Sequence, residues 1–169
     1  GSLSTHAIYG SGRMYNMCYK VAYEKNAQKL HDALVDFGFH GILYNDVYSI
    51  VPPTVCDDPD HPVNSKEAQM WGRKTLEDGA RKLGGIASEG GYDHFASILD
   101  YSLYAIFSDS YENVNVKPMR DAYIPLWHIV YNGTILSCPI SSCVNYTVKE
   151  PSIAMKQLEY GGHPTYYFY

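Results

Sequence analysis

Hydrophobic and polar positions repeat one pattern twice: an amphipathic stretch, a glycine, a short apolar run and then a carboxylate. In the first copy, apolar residues recur at three- and four-residue steps over 21–37, which predicts a helix. Gly38 follows as a C-terminal cap, and the apolar run after it predicts a buried strand over 41–45. The predicted buried stripe of this helix comprises Ala22, Ala27, Leu30, Ala33, Leu34 and Phe37.

The second copy begins after a loop over residues 47–64, which contains four prolines and therefore no regular element. Ser65 is the predicted N-cap of a helix over 65–83, and Glu67 adds negative charge to its first turn. Gly84 ends this helix, and a short strand is predicted over 85–88. The predicted buried stripe of the helix comprises Ala68, Trp71, Thr75, Leu76, Gly79, Ala80 and Leu83.

Strands that alternate with helices of this length predict parallel βα units, with the two strands adjacent and the helices on the outer side. Apolar stretches over 101–107, 123–131 and 165–169 are further strand candidates. A helix is predicted over 151–160, whereas residues 1–20 are expected to be an irregular lead-in.

The fold class predicted is α/β, and the chain is expected to be the C-terminal part of a (β/α)8 barrel. About five candidate strands are present, whereas a closed barrel needs eight and typically about 250 residues. Residues 1–169 are then one partial barrel domain, and the apolar run at its end indicates a longer protein. Such a fragment would expose strand edges, so we expect self-association or pairing with the missing half-barrel.

Composition excludes several classes of protein. With 46% hydrophobic and 18% charged residues, the chain is too apolar to be disordered. The net charge of −5 without basic runs argues against a nucleic-acid partner, and no apolar run is long enough to span a membrane. Tyrosine supplies 17 of the 169 residues, and its flat ring with one hydroxyl suits both core edges and sugar-binding clefts.

The cysteine pattern favours neither a metal site nor a readable disulfide framework. Cys18, Cys56, Cys138 and Cys143 form no CxxC pair, so we expect thiols, no metal and no cofactor. The loop with Asp57, Asp58, Asp60 and His61 is expected to be a solvated acidic turn. A metal-dependent hydrolase built on this loop is the weaker alternative, which a metal titration would test.

Asp46 and Glu89 are the candidate catalytic residues, because each lies at the C-terminal end of a predicted parallel strand, where barrel enzymes collect their catalytic groups. Two carboxylates that face one cleft are what glycoside hydrolysis requires. Their separation decides between retention and inversion, and the pattern leaves both open. The structural alternative is that Asp46 caps a loop and Glu89 forms a salt bridge.

Five residues are candidate substrate contacts because of their positions near the two carboxylates. Tyr44 shares a strand face with Asp46 if the strand continues that far, and either Tyr44 or Tyr48 is placed to hydrogen-bond that carboxylate or stack on a sugar. Tyr92 and Asp93 follow Glu89 closely. Trp127 is a candidate sugar platform, with core packing an equal alternative.

Four segments carry a resemblance to a known family. They are Gly41-Ile42-Leu43-Tyr44-Asn45-Asp46-Val47-Tyr48, Ala87-Ser88-Glu89-Gly90-Gly91-Tyr92-Asp93, Ile124-Pro125-Leu126-Trp127-His128-Ile129-Val130-Tyr131-Asn132-Gly133 and Leu158-Glu159-Tyr160-Gly161-Gly162-His163-Pro164. Together they resemble the second half of a bacterial glycoside-hydrolase barrel, that of the endo-α-N-acetylgalactosaminidases and their relatives. The likeness spans roughly residues 13–169 in short blocks.

The resemblance implies a retaining hydrolase of α-linked sugars in extracellular glycans, with Asp46 as nucleophile and Glu89 as acid/base. It also implies an extracellular or cell-surface bacterial protein with a carbohydrate substrate. Because half of the sugar pocket would be missing, the isolated chain is expected to show little hydrolysis. The alternative is a non-catalytic carbohydrate-binding or structural barrel fragment.

Overall fold

The computed structural model of the chain describes residues 5–9, 12–105, 124–138, 152–163 and 166. The strands are β1 Thr5–Tyr9, β2 Gly12–Tyr15, β3 Gly41–Asn45, β4 Gly84–Glu89, β5 Tyr101–Leu103 and β6 Leu136–Ser137. The helices are α1 Tyr19–Val21, α2 Gln28–Asp36, α3 Ser65–Leu83, α4 Asp93–Ala96, α5 Leu126–Tyr131 and α6 Ser152–Glu159. A π-helical segment, Ala22–Ala27, joins α1 to α2.

The chain forms two compact units. The first comprises Gly1–Leu43 with Pro52–Gly84, and the second comprises Tyr44–Val51 with Gly85–Tyr169. The candidate carboxylates Asp46 and Glu89 both belong to the second unit.

The first unit opens with an antiparallel hairpin of β1 and β2, in which Ile8 lies opposite Arg13 and Tyr9 opposite Gly12. The prediction of an irregular lead-in over residues 1–20 was therefore wrong. The two strands have only five and four residues, and runs this short contain little periodic signal.

Helix α3 forms as its sequence predicts, over Ser65–Leu83. Its N-cap is Asn64 rather than the predicted Ser65. The Asn64 side chain accepts a hydrogen bond from the Glu67 backbone N–H, and the Glu67 carboxylate accepts one from the Asn64 N–H. This capping box satisfies two backbone donors, which explains why the helix begins there.

A buried ion network joins α2 to α3. His31 Nδ1 lies 2.9 Å from Asp78 Oδ2, and both side chains are almost fully buried. Lys82 Nζ lies 3.1 Å from the same oxygen and 2.5 Å from Asp32, while Arg81 reaches the other oxygen of Asp78. Burial opposes ionisation of Asp78, but hydrogen bonds from His31, Lys82 and Arg81 outweigh it and lower the pKa of that carboxyl.

The predicted buried stripe over residues 21–37 was partly wrong, because the face that carries Ala22 and His31 is the one that is buried. Leu30 is 59% exposed and Phe37 81% exposed. On α3 the prediction did better: Ala68, Thr75, Leu76, Gly79 and Leu83 are buried, and Trp71 is half-buried against Tyr23.

The larger sheet has four parallel strands in the order β3-β4-β5-β6. Ser88 lies opposite Ser102 and Glu89 opposite Leu103, while Tyr101 lies opposite Leu136. The predicted adjacency of the strands near 41–45 and 85–88 is confirmed, as is the α/β class. The core of the second unit contains Ile86, Ala87, Phe95, Leu99 and Leu103.

The interpretation of residues 123–131 as a strand was wrong, because Leu126–Tyr131 is a helix. A short apolar run does not distinguish a strand from a buried helix by periodicity alone. The predicted helix near 151–160 is confirmed as α6. The predicted strand over 165–169 falls almost entirely outside the described residues. Barrel closure and placement in the C-terminal half of a barrel stay predictions.

Across the described ranges, no helix combines the length and apolar character that crossing a membrane requires.

Candidate active site

Asp46 and Glu89 lie at the C-terminal ends of neighbouring strands. Glu89 is the last residue of β4, and Asp46 comes directly after β3. Since carboxyl ends of parallel strands meet at one edge of a sheet, the two side chains belong to the same edge. Burial raises the pKa of Glu89, and the negative charge of nearby Asp46 raises it further. The two carboxylates are therefore close enough to interact electrostatically.

The environments of the two carboxylates differ. Glu89 is half-buried, whereas Asp46 is exposed. The Tyr44 hydroxyl donates a 2.8 Å hydrogen bond to Asp46 Oδ1, although β3 ends at Asn45 and does not continue to Asp46. Glu89 is thus held in conditions that favour its neutral form, whereas Asp46 is open to solvent and accepts a hydrogen bond.

Two buried serines form hydrogen bonds with the backbone beside the two carboxylate residues. The Ser88 hydroxyl donates to the Asn45 carbonyl at 2.6 Å and accepts from the Ser49 N–H at 3.1 Å. The Ser49 hydroxyl lies 2.6 Å from the Glu89 carbonyl oxygen and 2.8 Å from that of Gly90. The sequence analysis missed both serines. The only sign of this arrangement in the sequence is that Ser88, a small hydroxyl residue, directly precedes Glu89.

The turn after Asp46 contains an unfavourable backbone conformation. Val47 has φ +56°, in the left-handed region that a β-branched residue rarely adopts. Such a residue costs on the order of 1–3 kcal/mol and persists where surrounding contacts determine it. The Ser49 contacts to the Glu89–Gly90 segment are of this kind, so the strain lies directly beside the candidate nucleophile.

Glycine is required after Glu89 at two successive positions. Gly90 has φ +79°, and a Cβ there would lie 2.6 Å from the Ile50 Cβ. A Cβ on Gly91 would lie 2.7 Å from the Trp127 ring. The chain therefore turns sharply behind Glu89, with Ile50 and Trp127 packed against its backbone.

The remaining predicted contacts lie on both sides of this turn. Tyr48 is half-buried, whereas Tyr92 is exposed and precedes α4. Asp93 accepts a 3.1 Å hydrogen bond from the Tyr131 hydroxyl, and burial together with this bond raises the pKa of Tyr131. The proposed contacts of Tyr48, Tyr92 and Asp93 with substrate stay predictions.

Trp127 is only 8% exposed and packs against Tyr131 with ring centroids 4.4 Å apart. Its indole nitrogen has no hydrogen-bond partner among the described residues, and neither has either ring nitrogen of His128. Burial lowers the pKa of His128, which keeps this imidazole neutral. These buried polar atoms adjoin the turn behind Glu89 through the contact of Trp127 with Gly91.

Asp100 has a structural role. Its carboxylate accepts a 2.8 Å hydrogen bond from the Ile86 N–H, and its own N–H donates to the Ile86 carbonyl at 2.9 Å. In the first unit, a shallow depression of about 430 Å³ lies along α3 between Lys66 and Glu77. Its lining belongs to one face of a single helix, so we do not take it as the active site.

Within the described residues, one group of side chains has the spacing of a metal site. Cys18, Cys56 and His61 place their ligand atoms within 4.8 Å of one another. The side chains of Asp57, Asp58 and Asp60, which the weaker metal-binding alternative placed with His61, are not part of this group.

No protein-family model matches the chain, and no curated protein matches it in sequence. Solved structures do match. The chain is similar to a quadruple mutant of the α-N-acetylgalactosaminidase NagBb from Bifidobacterium bifidum, with TM-score 0.79 and 19% identity over 97% of this chain and 26% of that one. The ligand-free form of the same enzyme gives TM-score 0.78 and 19% identity, over 97% of this chain and 27% of that one.

The GalNAc complex of NagBb gives TM-score 0.66 at 19% identity over 80% of this chain. The chain spans about a quarter of the length of these enzymes. At this identity the similarity shows a related, glycosidase-like fold.

Proposed function

We propose that this chain carries the catalytic carboxylate pair of a retaining glycoside hydrolase that acts on α-linked sugars. The observation that carries the proposal is the pairing of Asp46 and Glu89 at neighbouring strand ends, with burial and the charge of Asp46 raising the pKa of Glu89. The glycosidase-like fold supports the same reaction class.

Asp46 is the proposed nucleophile. Its carboxylate attacks the anomeric carbon, and the bond from that carbon to the leaving oxygen breaks. The Tyr44 hydroxyl orients the attacking group through its bond to Oδ1. An exposed carboxylate that is oriented by a hydrogen bond suits this role because it is accessible to the sugar.

Glu89 is the proposed acid/base. In the first step it gives its proton to the leaving oxygen, and a raised pKa keeps that proton available at higher pH. In the second step the Glu89 carboxylate takes a proton from water, which attacks the anomeric carbon and releases Asp46. Two displacements at one carbon retain its configuration.

The substrate proposed is an α-linked N-acetylgalactosaminide, because the proteins of similar fold are α-N-acetylgalactosaminidases. The proposed contacts to the sugar are Tyr44, Tyr48, Tyr92 and Asp93, together with Trp127 of α5. Since the chain spans about a quarter of those enzymes, we propose that turnover needs the remaining barrel strands, and that the protein is extracellular or at the cell surface.

The test uses a polypeptide in which this chain is joined to the remaining barrel strands. Hydrolysis is measured with a 4-nitrophenyl α-N-acetylgalactosaminide, whose leaving group needs little acid assistance, and with a serine-linked glycopeptide. Asp46→Ala should abolish both reactions. Glu89→Ala should impair glycopeptide hydrolysis far more than 4-nitrophenyl glycoside hydrolysis. With the 4-nitrophenyl substrate, azide should rescue the variant by attacking the glycosyl intermediate, which gives a glycosyl azide of retained configuration.

Asp57→Asn, an exposed carboxylate change, is the matched control and should leave both rates unchanged. Equal loss on both substrates without azide rescue would remove Glu89 from the acid/base role. Sugar binding with no turnover by the unmodified protein would instead favour the non-catalytic alternative.

A further inference from the structure

Two cysteines and one histidine converge in the first unit, whereas the carboxylates proposed for glycoside hydrolysis belong to the second. The ligand atoms of Cys18, Cys56 and His61 all lie within 4.8 Å of one another. Each of the three side chains is half-buried, so the cluster is both held by the fold and open to a solvent ion. Cys18 and Cys56 are both thiols in the structure.

The chain between Cys56 and Val63 is a constrained turn. Cys56 and Val63 exchange two backbone hydrogen bonds, of 2.8 and 2.9 Å, and the His61 N–H donates to the Asp58 carbonyl at 3.1 Å. Pro59 and Pro62 fix the backbone further. The turn therefore holds the Cys56 sulfur and the His61 ring side by side before any ion binds.

Cys18 completes the cluster from a distant part of the chain. It is the N-cap of α1, and its carbonyl accepts a 2.8 Å hydrogen bond from the Ala22 N–H. The separation of Cys18 from Cys56 in sequence is why the cysteine spacing alone predicted no metal ligands.

The distance between the Cys56 and His61 ligand atoms fits tetrahedral zinc coordination. Cys56 Sγ lies 3.4 Å from His61 Nδ1. With Zn–S bonds of about 2.3 Å and Zn–N bonds of about 2.0–2.1 Å, two ligand atoms of a tetrahedral site lie roughly 3.6 Å apart. A sulfur and a ring nitrogen at this separation can thus share one ion with little movement.

The other ring nitrogen of His61 lies near a carboxylate. Asp58 Oδ1 lies 3.7 Å from His61 Nε2, the nitrogen that does not face Cys56. The same Asp58 oxygen accepts a 3.0 Å hydrogen bond from the Asp60 N–H, which holds the carboxylate in place. A carboxylate behind a metal-binding histidine is the common second layer of zinc sites, because it fixes the ring orientation.

We propose that Cys18, Cys56 and His61 bind one zinc ion, with water as the fourth ligand and Asp58 orienting His61. Thiolate and imidazole together select zinc over calcium or magnesium, which prefer oxygen ligands. A Cys18–Cys56 disulfide is the competing fate of the same two side chains, so the experiment must distinguish the two.

The first measurement is a cobalt titration of the chain, reduced and stripped of metal, followed by optical spectroscopy and zinc displacement. We expect one cobalt per chain, near-ultraviolet thiolate-to-cobalt absorption, intense visible bands of tetrahedral cobalt, and loss of both on adding zinc. Cys18→Ser and Cys56→Ser should each reduce the thiolate absorption, whereas Cys138→Ser should leave it unchanged. His61→Ala should weaken binding, whereas His40→Ala, at an exposed histidine, should not.

Asp58→Asn should weaken zinc binding about tenfold without changing the cobalt spectrum, as expected for a residue that positions a ligand. A second measurement uses the unmodified chain, so it does not depend on any variant folding. Zinc should protect Cys18 and Cys56 from alkylation, with each site identified by peptide mass.

Three results would overturn the proposal. The first is absence of stoichiometric cobalt or zinc binding by the reduced chain. The second is cobalt binding that survives simultaneous loss of Cys18 and Cys56. The third is a Cys18–Cys56 disulfide in protein purified anaerobically in the presence of zinc. None of these results bears on Asp46 or Glu89, so they leave the proposed hydrolase activity to its own test.

Discussion

The Ser88 hydroxyl donates a 2.6 Å hydrogen bond to the carbonyl oxygen of Asn45. Asn45 directly precedes Asp46, and Ser88 directly precedes Glu89, so this one bond joins the backbones that carry the two carboxylates. The Ser49 N–H donates to the same Ser88 oxygen and closes the turn after Asp46. The relative position of the carboxylates therefore depends on buried serines that need not touch a substrate.

Ser88→Ala should lower kcat of the proposed hydrolase about tenfold while changing KM little, because it shifts the two catalytic groups rather than the sugar contacts. It should also lower the free energy of unfolding by about 1–3 kcal/mol, since the Asn45 carbonyl and the Ser49 N–H lose a buried partner. Steady-state kinetics and urea unfolding measure the two effects.

Ser65→Ala, an exposed serine change at the start of α3, is the control and should affect neither quantity by a comparable amount. A Ser88→Ala enzyme with unchanged kcat would show that the serine does not position the carboxylates.

Local signals predicted β3, β4 and α3 to within about two residues, because each has a strong pattern bounded by glycine. The same reasoning predicted Asp46 and Glu89 at strand ends, and the sheet order makes those strands neighbours. What local pattern could not supply was the partner of each polar group. Ser49 and Ser88 lie far apart in sequence, and so do Cys18 and Cys56.

The shortest elements could not be predicted from the sequence for another reason. Strand β6 has only two residues, Leu136–Ser137, and exists because it pairs with Tyr101 and Ser102 of β5. Two residues contain no period to detect. Helix α5 is short enough that its apolar residues match a strand equally well, and tertiary contacts such as that of Trp127 with Gly91 select between the two.

Glu89→Gln should make the protein more stable at neutral pH and less sensitive to pH. The pKa of Glu89 is raised in the folded state, so the folded protein binds more protons than the unfolded chain between the unfolded and folded pKa values. Stability must then fall as pH rises through that window, starting from about pH 4.3. Thermal unfolding from pH 4 to pH 8 measures this slope.

Asp46→Asn removes one of the two causes of the raised pKa, so it should lower the pKa of Glu89 without returning it to the ordinary value. Carbon-13 NMR of the labelled Glu89 carboxyl follows the titration directly. A Glu89 pKa that is identical with and without the Asp46 charge would contradict the interaction on which the proposed function depends.

Gly90→Ala should destabilise the turn behind Glu89 by more than about 1 kcal/mol. The residue would have to keep φ +79° with a Cβ 2.6 Å from the Ile50 Cβ. Gly133→Ala is the matched control, because Gly133 has φ +85° with open space around its Cβ position. Urea unfolding should show a clearly larger loss at Gly90, and equal losses would assign the whole effect to backbone strain.

Asp78→Asn should lower the free energy of unfolding at pH 7 by about 3 kcal/mol, because it leaves Lys82 and His31 without their buried acidic partner. Glu77→Gln breaks the neighbouring but exposed pair with Arg73, at 3.0 Å, and should cost only about 0.5 kcal/mol. The lowered pKa of Asp78 fixes the sign of the pH dependence. Its stabilisation is fully present above the unfolded pKa of about 3.9 and is lost as pH falls through the folded value. The difference in the free energy of unfolding between the unmodified and Asp78→Asn proteins should therefore narrow below about pH 4. A difference independent of pH would show that the charge of Asp78 is not what stabilises the contact between α2 and α3.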